Sequence, residues 1–217
     1  QYGRQSVAIA LGIVAAFLSA VAFAADAPPK ASELGPAGTG PTILPVVDGR
    51  VELVSVVVRL AGAEPFSSEA FCDYQEESAA YFAPFAEHDA VKQAKALWKD
   101  AGLDAEAVFS LACHLGPAPD YALGETEGDP LPPTLDGRWT AERLAPFTAA
   151  LRAFSSDTKF GDFLAQYDGY FKKCEECLAI FMRDTMHLDL LSAYFGDQKT
   201  SPYLIAPGLY ARKALIS

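Results

Sequence analysis

Residues 89–115 read DAVKQAKALWKDAGLDAEAVFSLACHL, and they decide the fold class. The stretch holds two short amphipathic helices. Asp89 opens the first, which carries Val91, Ala94, Leu97 and Trp98 on one face and stops at Gly102. Asp104 caps the second, with Val108, Leu111, Ala112 and Leu115 facing inward. An acidic cap, apolar residues three and four apart, and a glycine stop make the signature of a surface helix packed on a core.

Upstream, residues 67–86 carry a helical stripe of aromatics, with Phe71, Tyr74, Tyr81, Phe82 and Phe85 as core candidates. Before them, Asp48 is placed to cap a segment over 49–61 that Gly62 would end. Its apolar residues recur at helical spacing, yet its many valines also suit a strand. Downstream, residues 116–139 hold five prolines among acidic side chains and read as a long surface loop of the sort that borders clefts. Thr140 opens the next helix, with Pro146 near its start and Leu151 and Phe154 beyond. Residues 159–182 read as one strongly helical segment, and a last helix is predicted over about 186–195. The architecture expected is mainly α: an irregular multi-helix domain over 46–217 with one or two short strands near 42–47 and 203–210.

The first 24 residues have a different character. Arg4 precedes an uncharged apolar run, Val7 to Ala25, and Ala22-Phe23-Ala24 offers the small-x-small pattern of a signal peptidase site. Residues 1–24 are therefore read as a signal peptide and 25–45, rich in Pro, Gly and Ala, as a flexible leader. The protein is expected to be exported, to the periplasm or the medium, and to meet a membrane only through an uncleaved signal segment. The chain starts at Gln1 and ends at Ile216-Ser217 without a cap or turn signal, so a longer protein is expected.

The net charge is -11, from 17 basic and 28 acidic side chains. Such a surface repels phosphate backbones and excludes nucleic acid as a partner. Peptide or protein partners are the expectation that remains.

The four cysteines are Cys72, Cys113, Cys174 and Cys177. Cys174 and Cys177 have C-x-x-C spacing, but Leu178 stands where haem attachment needs His. The pair also sits inside a helix, not at the helix start that activates a redox thiol, and no second pair completes a zinc site. In an oxidising compartment disulfides or inert thiols are the expectation, with the pairing open. Of the histidines, His88 reads as solvated beside a helix start; His187, with Asp184 and Asp189 nearby, resembles a metal site only loosely and reads as a surface ion-pair partner. His114 ends its helix beside the long loop and is the best cleft candidate. Glu76-Glu77 and Glu175-Glu176 are sequence neighbours on solvated helices and cannot oppose each other as an acid/base pair. No residue is assigned a catalytic, cofactor-binding or metal-binding role.

Several stretches in order resemble a secreted bacterial family, domain of unknown function 4932. They are Val47-Asp48-Gly49-Arg50-Val51-Glu52-Leu53 with Arg59-Leu60-Ala61-Gly62, then Tyr81-Phe82-Ala83-Pro84-Phe85 with His88-Asp89-Ala90-Val91. Ala107 to Leu115, Arg138-Trp139, Phe160-Gly161-Asp162-Phe163 and Tyr170-Phe171 continue the series. The resemblance spans about residues 46–210. It implies a zinc-metallopeptidase-like protein whose His-Glu-x-x-His-like motif follows this region, after strands that lead into it. On that reading zinc is expected only with a downstream segment, and residues 46–217 are the N-terminal helical portion, inactive alone. The alternative is a non-catalytic periplasmic helical binding protein.

Overall fold

The computed structural model describes residues 43–67, 70, 72–123, 131–185 and 203–205. The expected signal peptide, most of the expected leader, the helix expected over 186–195 and His187 lie outside them. The described chain is mainly helical, in the order β1 (Ile43–Pro45), α1 (Gly49–Leu60), α2 (Asp73–Phe82), a 3-10 turn (Ala83–Phe85), α3 (Asp89–Ala101), α4 (Ala105–His114), α5 (Ala141–Asp157), α6 (Phe160–Gln166), α7 (Asp168–Thr185) and β2 (Tyr203–Ile205).

The valine-rich segment is a helix. Asp48 accepts the Arg50 N–H at 2.8 Å as its cap, and Gly62 follows its end with φ of 77°. A left-handed residue there costs glycine little. Every residue from Val51 to Val58 is buried, because α1 touches α2, α3, α4 and α5 at once. A helix enclosed on all sides is apolar all round, which is why its composition mimics a buried strand.

The two helices of the opening stretch form as read, except that His88 and not Asp89 caps the first. Asp104 accepts the Ala107 N–H at 3.1 Å, and Gly102 closes α3 with φ of 61°. Val91, Ala94, Val108, Leu111, Ala112 and Leu115 are all in the core. Residues 159–182 differ from expectation, forming two helices broken at Tyr167. Asp168-Gly169 explains the break: Asp favours a first turn and Gly is a poor interior residue. In the aromatic stripe Tyr74 and Phe82 are buried, but Tyr81 is exposed and donates its hydroxyl to the Thr158 carbonyl at 2.9 Å.

The loop after α4 is less superficial than its prolines suggest. Tyr121, Leu135 and Trp139 are buried, and the Trp139 indole N–H donates to the Ala107 carbonyl at 2.9 Å. The two strands pair in parallel, Leu44 opposite Leu204, so the whole helical domain is the connection between them. No helix among the described residues is long and apolar enough to cross a membrane.

Candidate functional site

His114 occupies the last position of α4 and faces the loop, as its sequence position suggested. Its Nδ1 lies 2.6 Å from the Ser110 carbonyl oxygen and its Nε2 2.8 Å from Thr134 Oγ1. A carbonyl only accepts, so Nδ1 carries the proton, and in the neutral ring Nε2 accepts from the threonine hydroxyl. Hydroxyl, imidazole base and orienting acceptor thus stand in line, the order that nucleophilic catalysis uses. The electrostatics oppose that use. The group sits at a helix C-terminus, where carbonyls project and the dipole is negative, so a developing oxyanion would be repelled. Ser110 Oγ also accepts the Asp136 N–H at 2.9 Å. Ser110 and His114 together therefore clamp residues 134–136 onto α4.

The same loop carries a charge knot. Arg138 reaches Asp136 at 2.7 Å and Asp104 at 2.8 Å, and donates to the Gly102 carbonyl at 3.2 Å. Its hydrogen bonds hold both carboxyls below the usual carboxylate range, against a smaller opposing push from burial. This network ties the loop to the α3–α4 junction.

His88 is not solvated. Only 14% of its side chain is exposed, because the ring packs edge-on against Phe154 with centroids 5.2 Å apart. It is the cap of α3: Nδ1 accepts the Ala90 N–H at 3.1 Å, which leaves Nε2 to donate to Asp157 at 3.3 Å.

All four cysteines are free thiols. Cys113 lies beside the Asp48–Arg50 ion pair, and burial pushes its thiol up. The other three gather where α1, α2 and α7 meet. Cys72 is the N-cap residue of α2, with no capping hydrogen bond from its side chain. Burial, followed by the nearby Cys174 and Cys72 thiols, holds the Tyr170 phenol above its ordinary range. Burial also pushes the Cys174 thiol up to about 11, although Tyr170 works in the opposite sense. Tyr74 stacks on Tyr170 with centroids 5.8 Å apart and donates its hydroxyl to Glu52 at 2.7 Å. Glu52 is fully buried in α1. A carboxylate so placed needs such donors, since burying charge without hydrogen bonds is costly.

Glu175 is also not the solvated neighbour that its sequence suggests. Its Oε1 accepts the Val47 N–H at 2.7 Å, which fastens the end of β1 to α7. Glu77 receives the Tyr167 hydroxyl. A recess of about 290 Å³ opens between α1 and α2, lined by Val56, Arg59, Leu60, Ser78 and Phe82 among others. Arg59 there donates to the Phe66 carbonyl at 2.7 Å.

Sequence reasoning missed Glu52, Thr134 and Tyr170. Glu52 carried a signal, since a carboxylate inside VELVSVVV interrupts an apolar run. Thr134 and Tyr170 carried none. Zinc coordination finds no fit in the described residues: no group of three or more His, Cys, Asp or Glu is placed to hold a metal ion.

The described molecule is thus a mainly α domain built round one buried helix, with a clamped loop on one side and a thiol cluster on the other. No family model, no curated protein and no solved structure matches the chain.

Proposed function

We propose that this chain is the helical scaffold of an exported, zinc-peptidase-like protein that handles extended peptides. The observation that carries the reading is the strand pair. Tyr203–Ile205 lies parallel to Ile43–Pro45, and Glu175 fastens that pair to α7 through Val47. In the family that the sequence resembles, strands lead into the zinc-binding helix. Among the described residues no further strand flanks this pair, and an unpaired strand edge offers N–H and C=O groups to an extended peptide, the mode of recognition called strand addition. The scaffold residues would position that edge, and the described histidines are spent on a loop clamp and a helix cap.

That last point also favours the second reading, a non-catalytic binding protein that uses the same edge. Both readings are tested on the complete gene product. Its zinc content, chelator-sensitive peptide cleavage and N-terminal sequence after export are measured. The first reading expects bound zinc, cleavage abolished by chelator and a new N-terminus near Ala25. A metal-free full-length protein that binds peptides without cutting them overturns it in favour of the second. Retention of residues 1–24 in a cytoplasmic fraction overturns export.

A further inference from the structure

We infer that His88 is a pH-sensitive latch: the neutral imidazole holds the start of α3 to the end of α5, and the protonated ring lets the first turn of α3 go. The two ring nitrogens have opposite tasks. An amide N–H only donates, so Nδ1 must be bare to accept from Ala90 at 3.1 Å. Nε2 then carries the one proton of the neutral ring and turns it toward Asp157, 3.3 Å away. A second proton can go only to Nδ1, where it meets the Ala90 N–H donor against donor. Acid therefore breaks the cap while it turns the Asp157 contact into a full ion pair.

The loss of the cap outweighs that gain. The Asp157 side chain is 62% exposed, and ion pairs so open to water contribute little. A side-chain cap contributes more, and the positive end of α3 opposes a cation on the cap residue. Asp89 does not take over the cap, since its carboxylate accepts from the Gln93 amide at 2.6 Å.

The other charged groups nearby do not offset the change. Glu87 and Lys92, on the segment of His88 itself, pair with each other at 3.5 Å. Phe154 of α5 gives the ring an edge-on contact and no charge. Lys159, just beyond α5, is exposed. Tyr81 of α2 gives its hydroxyl to the Thr158 carbonyl.

The test is made on the full chain by NMR. Ring nitrogen shifts near neutral pH report the tautomer, and the expected site of the proton on His88 is Nε2. Hydrogen exchange of the α3 amides, corrected for the intrinsic pH dependence of exchange, is then compared at about pH 7.5 and about pH 5, a span in which imidazole changes charge. Protection of Ala90 and Val91 should fall by about fivefold on acidification, while Leu97 in the same helix stays protected. His88→Asn supplies a cap that takes no proton, so its Ala90 protection should be equal at both pH values. A proton on Nδ1 in the neutral ring, no fall at Ala90, an equal fall at Leu97, or a fall in His88→Asn as large as in the unaltered chain each overturn the inference. The tautomer and the exchange of the unaltered chain decide the matter even if His88→Asn does not fold.

Discussion

Between α2, α6 and α7 the domain is held by rings, and around residues 131–139 it is held by polar bonds. In the first region Tyr74, Phe82, Phe160, Phe163, Tyr167 and Phe171 meet edge-on or tilted, with centroids from 4.9 to 6.3 Å. In the second, Ser110, His114, Asp104 and Arg138 each hold the loop through an aimed hydrogen bond or ion pair. Ring packing depends on volume and dry contact, so it tolerates changes of pH and salt but not loss of bulk. The polar clamp should respond in the opposite way.

The largest expected effect lies in the packed region. Phe82→Ala removes a ring that is 1% exposed and should cost about 3–5 kcal/mol in chemical denaturation. A loss below about 1 kcal/mol would mean that the region collapses round the gap. The sharpest exception to the comparison is Tyr74, whose ring belongs to the packing while its hydroxyl serves buried Glu52. Tyr74→Phe keeps the ring and withdraws that donor, and should cost about 1–3 kcal/mol. Equal stability of the two proteins by urea titration would show that Glu52 does not need the bond.

Next comes the charge knot. Asp104 and Asp136 are held below the ordinary carboxylate range. Their contribution is complete above that range, near pH 4, and is lost as the pH falls through their lowered values. Arg138→Ala should cost about 1 kcal/mol at pH 7, since the site is partly open to solvent. It should also flatten the decline in stability as the pH falls below the ordinary carboxylate range. An unchanged acid limb in thermal melts at stepped pH would remove the knot from the account. The smallest effect is expected from Thr134→Val, about 0.5–1 kcal/mol. It should appear mainly as faster hydrogen exchange of the backbone amides at 134–136, with α4 unchanged.

The contrast also explains what could be read from sequence. Helices α3 and α4 were legible because an acidic residue at the start, an apolar period and, after α3, a glycine stop are all local signals. The identity of α1 was not, because a run of valines suits a helix or a strand until burial on every side is known. The single helix expected over 159–182 overlooked Asp168-Gly169, which outweighs the apolar period on both sides of it. The loop after α4 looked superficial because isolated apolar residues such as Tyr121 and Leu135 have no period to betray their burial. The candidate site divides in the same way. His114 was marked by its place at a helix end, but Thr134 is 20 residues away in a segment without repeat. Tyr170 meets Tyr74 of α2 only through the tertiary fold.

The strand pair has a further consequence, in the order of assembly. Strands of three residues return little energy, and every helix of the described residues lies between them. The entropy of closing so long a connection must be met before any ladder bond forms, so β1 and β2 can meet only after the helices have already brought them together. On a ribosome β1 emerges first and waits, an unpaired edge, while the rest is made. The pairing of Ile43 with Tyr203 is thus the last clasp to shut, and it marks a chain whose helical interior is complete.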